Sequence, residues 1–499
     1  MGNHAFSHRD SAQIEANGMT CEQVERQLEY FNAGFPFPQV EAPAQVGAGI
    51  HRFSPEQQEA LLKRYQSWRG SVVKFVPASG AASRMFKELH RAKDLLDRDD
   101  QAALSGDAAV FFDRLREFAF YPLLKNTGCD LSDRRAILKA LLGPAGLDYN
   151  AKPKGLLAFH AYPQGHRTAF EEHLVEAARY AEGGDGSVSL HFTVSPEHLS
   201  DFENLVRTVA PQYGQRFGVS YRIDFSQQNP ATDTIAVDMD NRPLRREDGS
   251  LLFRPGGHGA LLENLSDLHQ DIIFIKNIDN VQLEEQLADT IRWKKILAGK
   301  LLEVRAYIHQ SLKDLAICDS PLKIKEIADF LRQQFAIDLP QVREEEYAAK
   351  VRSLLDRPLR VCGVVKNTGE PGGGPFVVKE ADGSTSLQIL ETAQLDLNDV
   401  RTAAHWAAST HFNPVDVVCS FKDYTGAPYA LKLFSNPDSG FISEKSMDGK
   451  TIKMQELPGL WNGAMWGWNT LFAEVPAGTF NPVKTLNDLL RPAHCRILN

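Results

Sequence analysis

Cysteine is scarce in this chain. Six are spread over 499 residues (Cys21, Cys129, Cys318, Cys362, Cys419 and Cys495), and none forms a CxxC pair. That spacing suggests neither a zinc site nor a disulfide framework, and it fits a reducing, cytoplasmic setting. Long apolar runs are also missing. No stretch approaches the roughly 18 residues a bilayer-spanning helix needs. The opening MGNHAFSHRDSAQ carries charges and no apolar signal core, and Phe6 stands where a myristoylation motif wants Ser or Thr. Positive charge is not in excess: the net charge is −9. That argues against nucleic acid or an anionic membrane as partner. A phosphate ligand would have to be held by a few well-placed cations. Internal repeats and low-complexity segments are lacking too. What remains, 43% hydrophobic and 24% charged, is an ordinary globular composition with length for roughly two to four domain-sized units.

The most informative stretch runs from Arg254 to Asn280, RPGGHGALLENLSDLHQDIIFIKNIDN. Its Pro255-Gly256-Gly257-His258-Gly259 turn lets a flat ligand approach bare backbone. A helical apolar run follows from Ala260 to Leu268. Asp271-Ile-Ile-Phe-Ile then reads as a buried parallel strand, ending in Lys276-Asn277-Ile278-Asp279-Asn280. Ligands of open α/β sheets bind beyond the carboxyl ends of strands, so Asp279 is expected to hold a hard cation.

Taken in order, residues 1 to about 70 read as helical and polar, with Ser54-Pro55-Glu56-Gln57 as a helix start. Val72–Val76 is a short strand. Pro77-Ala-Ser-Gly-Ala-Ala-Ser-Arg-Met-Phe-Lys87 leads from it into a helix, an anion-binding arrangement to which Arg84 adds donors. It is neither a Walker A loop nor a GxGxxG. Residues 90–148 look like a helical insertion. Lys154 sits on the stiff Pro153-Lys154-Gly155 turn, and Arg167–Leu174 opens an amphipathic helix. Strands at Ser187–Val194 and Val219–Phe225, with a helix between, predict a mostly parallel βαβ sheet. Leu283–Leu359 reads as a second helical insertion. Strands return at Val361–Val365 and Ser386–Glu391, and Pro482-Val483-Lys484 puts another lysine beside a stiff turn near the C-terminus.

In sequence order these pieces resemble the UDP-sugar pyrophosphorylases, nucleotidyltransferases of the UDP-glucose and UDP-N-acetylhexosamine type. The matching motifs are Gly80-Ala81-Ala82-Ser83-Arg84-Met85, Pro153-Lys154-Gly155, Phe225-Ser226-Gln227 with Pro230, Pro255–Gly259, Asp279-Asn280, Leu390-Glu391-Thr392, and Phe480-Asn481-Pro482-Val483-Lys484. The set is most similar to a bacterial domain-of-unknown-function branch of that clan, DUF4301-like. There are departures. Ser79 and Ala82 stand where the family has glycine, and Thr392 replaces its tyrosine.

The resemblance implies a Rossmann-like, mostly parallel mixed α/β sheet of the GT-A, nucleotide-diphospho-sugar transferase type, with helical insertions. It implies an N-terminal helical segment at 1–70 and a catalytic domain at 71–490 with insertions at about 90–148 and 283–359. Residues 360–499 would complete the sheet and the pocket. The implied reaction joins an NTP, UTP favoured, to a sugar 1-phosphate and releases pyrophosphate. Arg84, Lys154 and Lys484 would be catalytic. Gly80, Ala81, Ala82, Ser83, Gln227, Gly257 and His258 would bind the nucleotide, and Asn280 and Glu391 the sugar. Asp279 would bind Mg²⁺. Two alternatives stand beside this: a glycosyltransferase of the same fold, for which Asp238-Met239-Asp240 is the candidate metal motif, and a catalytically silent nucleotide binder, which the altered glycine loop would suit.

Overall fold

The computed structural model describes residues 6–80, 82–98, 105–318, 320–340, 343–369, 372–447 and 450–496. The protein is mixed α/β. By its contacts the chain divides into two compact units, one made of Met1–Ser67, Gln228–Ile272 and Ile296–Val475, the other of Trp68–Gln227, Ile273–Lys295 and Pro476–Asn499.

The second unit carries the strand order Ile272–Ile275, Val72–Pro77, Ser187–Thr193, Ser220–Ser226. The last three are parallel, with Val76 opposite Phe192 and Phe192 opposite Phe225. Every residue of Val72–Val76 and of Ile272–Ile275 is buried, as strands require when both faces of a sheet are covered; the one charge among them, Lys74, is paired with Glu176. Ser220–Ser226 has no fully buried residue, as befits the last strand of that order. Parallel neighbours need crossovers, and the helix Leu199–Phe217 supplies one between Ser187–Thr193 and Ser220–Ser226. Helices Lys87–Asp97, Gly106–Asp113, Tyr121–Asn126 and Arg134–Leu142 occupy the first stretch read as an insertion.

The helix Ala169–Tyr180 starts at a Thr168-x-x-Glu171 capping box. Each residue's side chain meets the other's backbone N–H. The expectation of an amphipathic helix here is corrected. Phe170, Glu172, His173, Leu174, Val175 and Glu176 are all buried, so both the apolar and the charged residues face protein. The charges are tolerated because each finds a partner. Glu176 accepts from Lys74 Nζ at 2.9 Å, Lys276 Nζ at 2.7 Å and the Tyr180 hydroxyl at 3.2 Å.

In the first unit the strands Gln45–Val46, Gly49–His51, Asn469–Glu474, Leu359–Lys366 and His411–Ser420 lie in that order. Leu359–Lys366 is parallel to Asn469–Glu474 and antiparallel to His411–Ser420. A three-stranded set joins Gln39–Pro43, Gly374–Lys379 and Thr385–Leu390, which leaves Glu391 just past a strand end. The opening 70 residues are thus more than helical, since they also contribute short strands. Their first two helices, His8–Ala16 and Cys21–Ala33, are each entered through a capping box. Ile14, Val24, Leu28 and Phe31 from these helices share a core with Ile235, Val237, Leu251 and Phe253. Ser54 and Gln57 form the expected box ahead of Pro55–Ser67. The second stretch read as an insertion is helical, with Ala288–Ile317, Pro321–Phe335 and Glu344–Leu355. Among the described residues no helix is long and apolar enough to cross a membrane.

Candidate functional site

Three of the expected site residues meet in the second unit, although they lie far apart in sequence. Asp279 follows the buried Ile272–Ile275 strand in the chain, and its side chain is 8% exposed. Lys154 Nζ donates to Asp279 Oδ2 at 2.7 Å and to the Val483 carbonyl at 2.8 Å. Lys484 Nζ donates to the same Oδ2 at 3.0 Å. Asp279 Oδ1 is buried and has no donor among the described residues. Burial pushes the carboxyl upward, but Lys154 and then Lys484 outweigh it and hold Asp279 below the usual carboxylate range.

The backbone fixes this meeting. Lys154 opens a short 3-10 turn behind Pro153. Gly155 is required there, because a Cβ would come within 2.9 Å of the Phe202 ring. The Val483 N–H donates to the Asp279 carbonyl at 3.0 Å, and the Asn481 N–H donates to Asn280 Oδ1 at 2.9 Å. Asn280 and Pro482 form an isolated antiparallel bridge. On the far side of Lys484, Asp488 Oδ2 accepts both the Lys484 and Thr485 N–H groups at 2.7 Å. Lys484 is therefore clamped by its backbone while its side chain stays 55% exposed.

Arg84 is exposed and lines a cavity of about 180 Å³ with Lys87, Asp107, Thr485 and Asn487, beside the Lys484 segment. Among the described residues it has no carboxylate partner. The loop from Pro77 leads into an α-helix at Lys87, as expected, and it contains a 3-10 turn of its own, Ala82–Arg84. Ala82 is buried and Ser83 exposed. At Gly80 a Cβ would meet nothing within 4 Å. Ala81 lies outside the described residues.

Gln227 ends the first segment of the second unit, directly after Ser226, whose hydroxyl meets His191 Nε2 at 2.7 Å. The remaining expected residues belong to the first unit. Gly257 has a φ of 79°. Gly259 has no room for a side chain, since a Cβ would sit 2.1 Å from the Pro458 carbonyl. His258 stacks on Trp461 with ring centroids 4.1 Å apart, and its Nδ1 accepts from the Leu460 N–H at 2.9 Å. That bond fixes the neutral tautomer, and burial holds the imidazole down at about 4. Burial also raises the Glu391 carboxyl, and the Asn462 amide, 3.3 Å from Glu391 Oε1, partly offsets this.

Sequence reasoning missed several supporting residues. Asp488 had a signal, since Thr485-x-x-Asp488 is a capping pattern. Lys74 had one too: a lysine inside an apolar strand must find a buried anion, and it finds Glu176. Asn462, which orients Glu391, had none. Among the described residues no group of three or more His, Cys, Asp or Glu is arranged to hold a metal ion.

Fold and site together define a mixed α/β protein with two lysines gathered on one buried carboxylate. The chain belongs to the family described as Domain of unknown function (DUF4301), whose model matches residues 7–495. Among curated proteins no match is found. Similar solved structures include the UDP-glucose pyrophosphorylase of Leishmania major, known in open and closed forms. It is 13% identical, the alignment covers 97% of this chain and 79% of that one, and the TM-score is 0.45. A second is the UDP-glucose phosphorylase of Trypanosoma brucei, 14% identical, with 97% and 77% covered and a TM-score of 0.44.

Proposed function

We propose that this protein is a nucleotidyltransferase that forms an NDP-sugar, UDP-sugar favoured, and pyrophosphate from an NTP and a sugar 1-phosphate. The observation that carries the reading is the convergence of Lys154 and Lys484 on Asp279. These are residues the motif resemblance selects from three remote segments. The parallel block of Val72–Pro77, Ser187–Thr193 and Ser220–Ser226 supports a nucleotide-diphospho-sugar transferase fold of GT-A type.

The chemistry asks for this kind of site. A sugar 1-phosphate is already an anion near neutral pH, so no general base is needed. The site must bring two polyanions together and stabilise the pyrophosphate that leaves. In this reading Arg84, with the Gly80–Ser83 backbone, holds the β- and γ-phosphates. Lys154 turns from Asp279 to the α-phosphate, and Lys484 reaches phosphate from the C-terminal side. In the second unit Gln227 is the candidate for the base and Asn280, whose Nδ2 is buried without an acceptor among the described residues, the candidate for the sugar. In the first unit Gly257 and His258 are the candidates for the base, and Glu391 for accepting sugar hydroxyls. The orphaned Asp279 Oδ1 suits Mg²⁺, an ion often held by one or two carboxylates plus phosphates and water. When bound, Mg²⁺ supplies charge neutralisation on the triphosphate.

The glycosyltransferase alternative draws no support from Asp238-Met239-Asp240. Asp238 Oδ1 accepts the Asp240 and Arg242 N–H groups of its own turn, and Asp240 pairs with Arg242. Pyrophosphate release with Mg²⁺, each of four NTPs and a panel of sugar 1-phosphates tests the proposal. Release with one pair, abolished in Asp279→Ala, is expected. No release with any pair, while UTP still raises the melting temperature, would replace the enzyme by a silent binder.

A further inference from the structure

A second concavity of the same unit, about 830 Å³, is lined by arginines. Three guanidinium groups converge on one carboxylate. Glu284 Oε2 lies 2.9 Å from Arg167, Glu284 Oε1 lies 3.3 Å from Arg179, and Arg216 Nη2 is 2.8 Å from both oxygens. Arg496, on the same wall, pairs with Glu285 at 2.7 and 3.1 Å. The other acidic groups here are committed elsewhere. Glu171 caps its helix through Thr168 and takes the Tyr213 hydroxyl, while Glu172 serves His160, Tyr162 and, at 3.4 Å, Arg167.

Glu284 is 15% exposed, whereas Arg179 and Arg216 are 47% and 44% exposed. Each guanidinium carries five N–H donors in a rigid fork, and these two each spend only one nitrogen on Glu284. Both also lie against the Phe217 ring, 4.8 and 4.9 Å from its centroid, which holds the two like charges side by side. Convergent forks with unspent donors beside a roomy cavity match the oxygens of a tetrahedral dianion better than a second carboxylate. An adjoining cavity of about 920 Å³ shares Tyr162, His166 and Arg496 with the first, and Phe118, Phe159 and Leu489 give it apolar walls.

We propose that this arginine-lined cavity is a second ligand site, which takes a phosphate monoester with its phosphate between Arg179 and Arg216 and its organic part toward Tyr162 and the apolar neighbour. The walls continue the segments of the cation centre. Tyr162 and Arg167 follow Lys154, Glu284 follows Asp279, and Arg496 follows Lys484, so an occupant ties all three together. The binding stands whether or not the chain transfers nucleotides.

Isothermal titration of the full chain with phenyl phosphate tests this. In Lys154→Ala/Lys484→Ala, which removes the cations of the first centre, one equivalent is still expected to bind. Adding Arg179→Ala and Arg216→Ala should weaken it at least tenfold. Glu284→Gln, which frees the forks from their internal competitor, should tighten it severalfold, a gain that misfolding cannot imitate. Loss of all binding in the double lysine variant, or unchanged affinity without the two arginines, would overturn the proposal.

Discussion

Asp279 Oδ2 takes two ammonium groups while Oδ1 takes none. Single substitutions should therefore separate the roles. Lys154→Ala and Lys484→Ala are each expected to lower pyrophosphate release by about 10²- to 10³-fold, as removal of one preorganised charge does elsewhere. Lys154 is 13% exposed and Lys484 55%, so the urea midpoint should fall for the first and stay near wild type for the second. Equal destabilisation would mean that Lys484 is a structural ion pair only. Gly155→Ala should cost roughly 1–3 kcal/mol in urea unfolding, because the added methyl meets Phe202. An undiminished midpoint would show that the turn can move.

At the scale of elements, the buried triad of Lys74, Glu176 and Lys276 ties the Val72–Pro77 strand, the Ala169–Tyr180 helix and the loop that carries Asp279. Removing the anion leaves two buried cations together. Glu176→Ala should thus destabilise by about 3–5 kcal/mol, read as a lowered urea midpoint. A near-neutral result would mean that water enters the triad. This element was only half legible in the sequence. Ile272–Ile275 could be read as a strand because an unbroken apolar run has few other folds, Val72–Val76 because valines and a phenylalanine favour a strand, and the Ser54 cap follows a local hydrogen-bond rule. Local rules end there. Nothing near Lys154 announces that its ammonium reaches Val483, and the Arg167–Leu174 pattern hides a helix whose charged Glu172 and Glu176 are buried along with its apolar residues. Charged residues in a sequence look the same whether water or another side chain neutralises them.

For the molecule as a whole, acid is the informative variable. Burial holds His258 at about 4, and it holds His173 well below its ordinary 6.5. Burial and then His160 hold His494 at about 3. The folded chain prefers each of these imidazoles neutral. Their stabilisation is therefore complete above pH 6.5, where the unfolded chain is neutral too, and drains away as pH falls toward each folded value. The urea midpoint should drop between pH 6.5 and 4.5. His258→Gln should flatten part of that slope, worth on the order of 3 kcal/mol at full extent. A midpoint constant over this range would contradict the buried-neutral assignment. The lysine-to-Asp279 contacts have a consequence of another kind. On the proposed reading, a phosphate arriving there would not meet bare cations but would trade places with a carboxylate already seated, so the centre would work as an ion exchanger. Added salt weakens the outgoing partnership along with the incoming one, and ligand affinity should decline with ionic strength more gently than the number of phosphate contacts alone would demand.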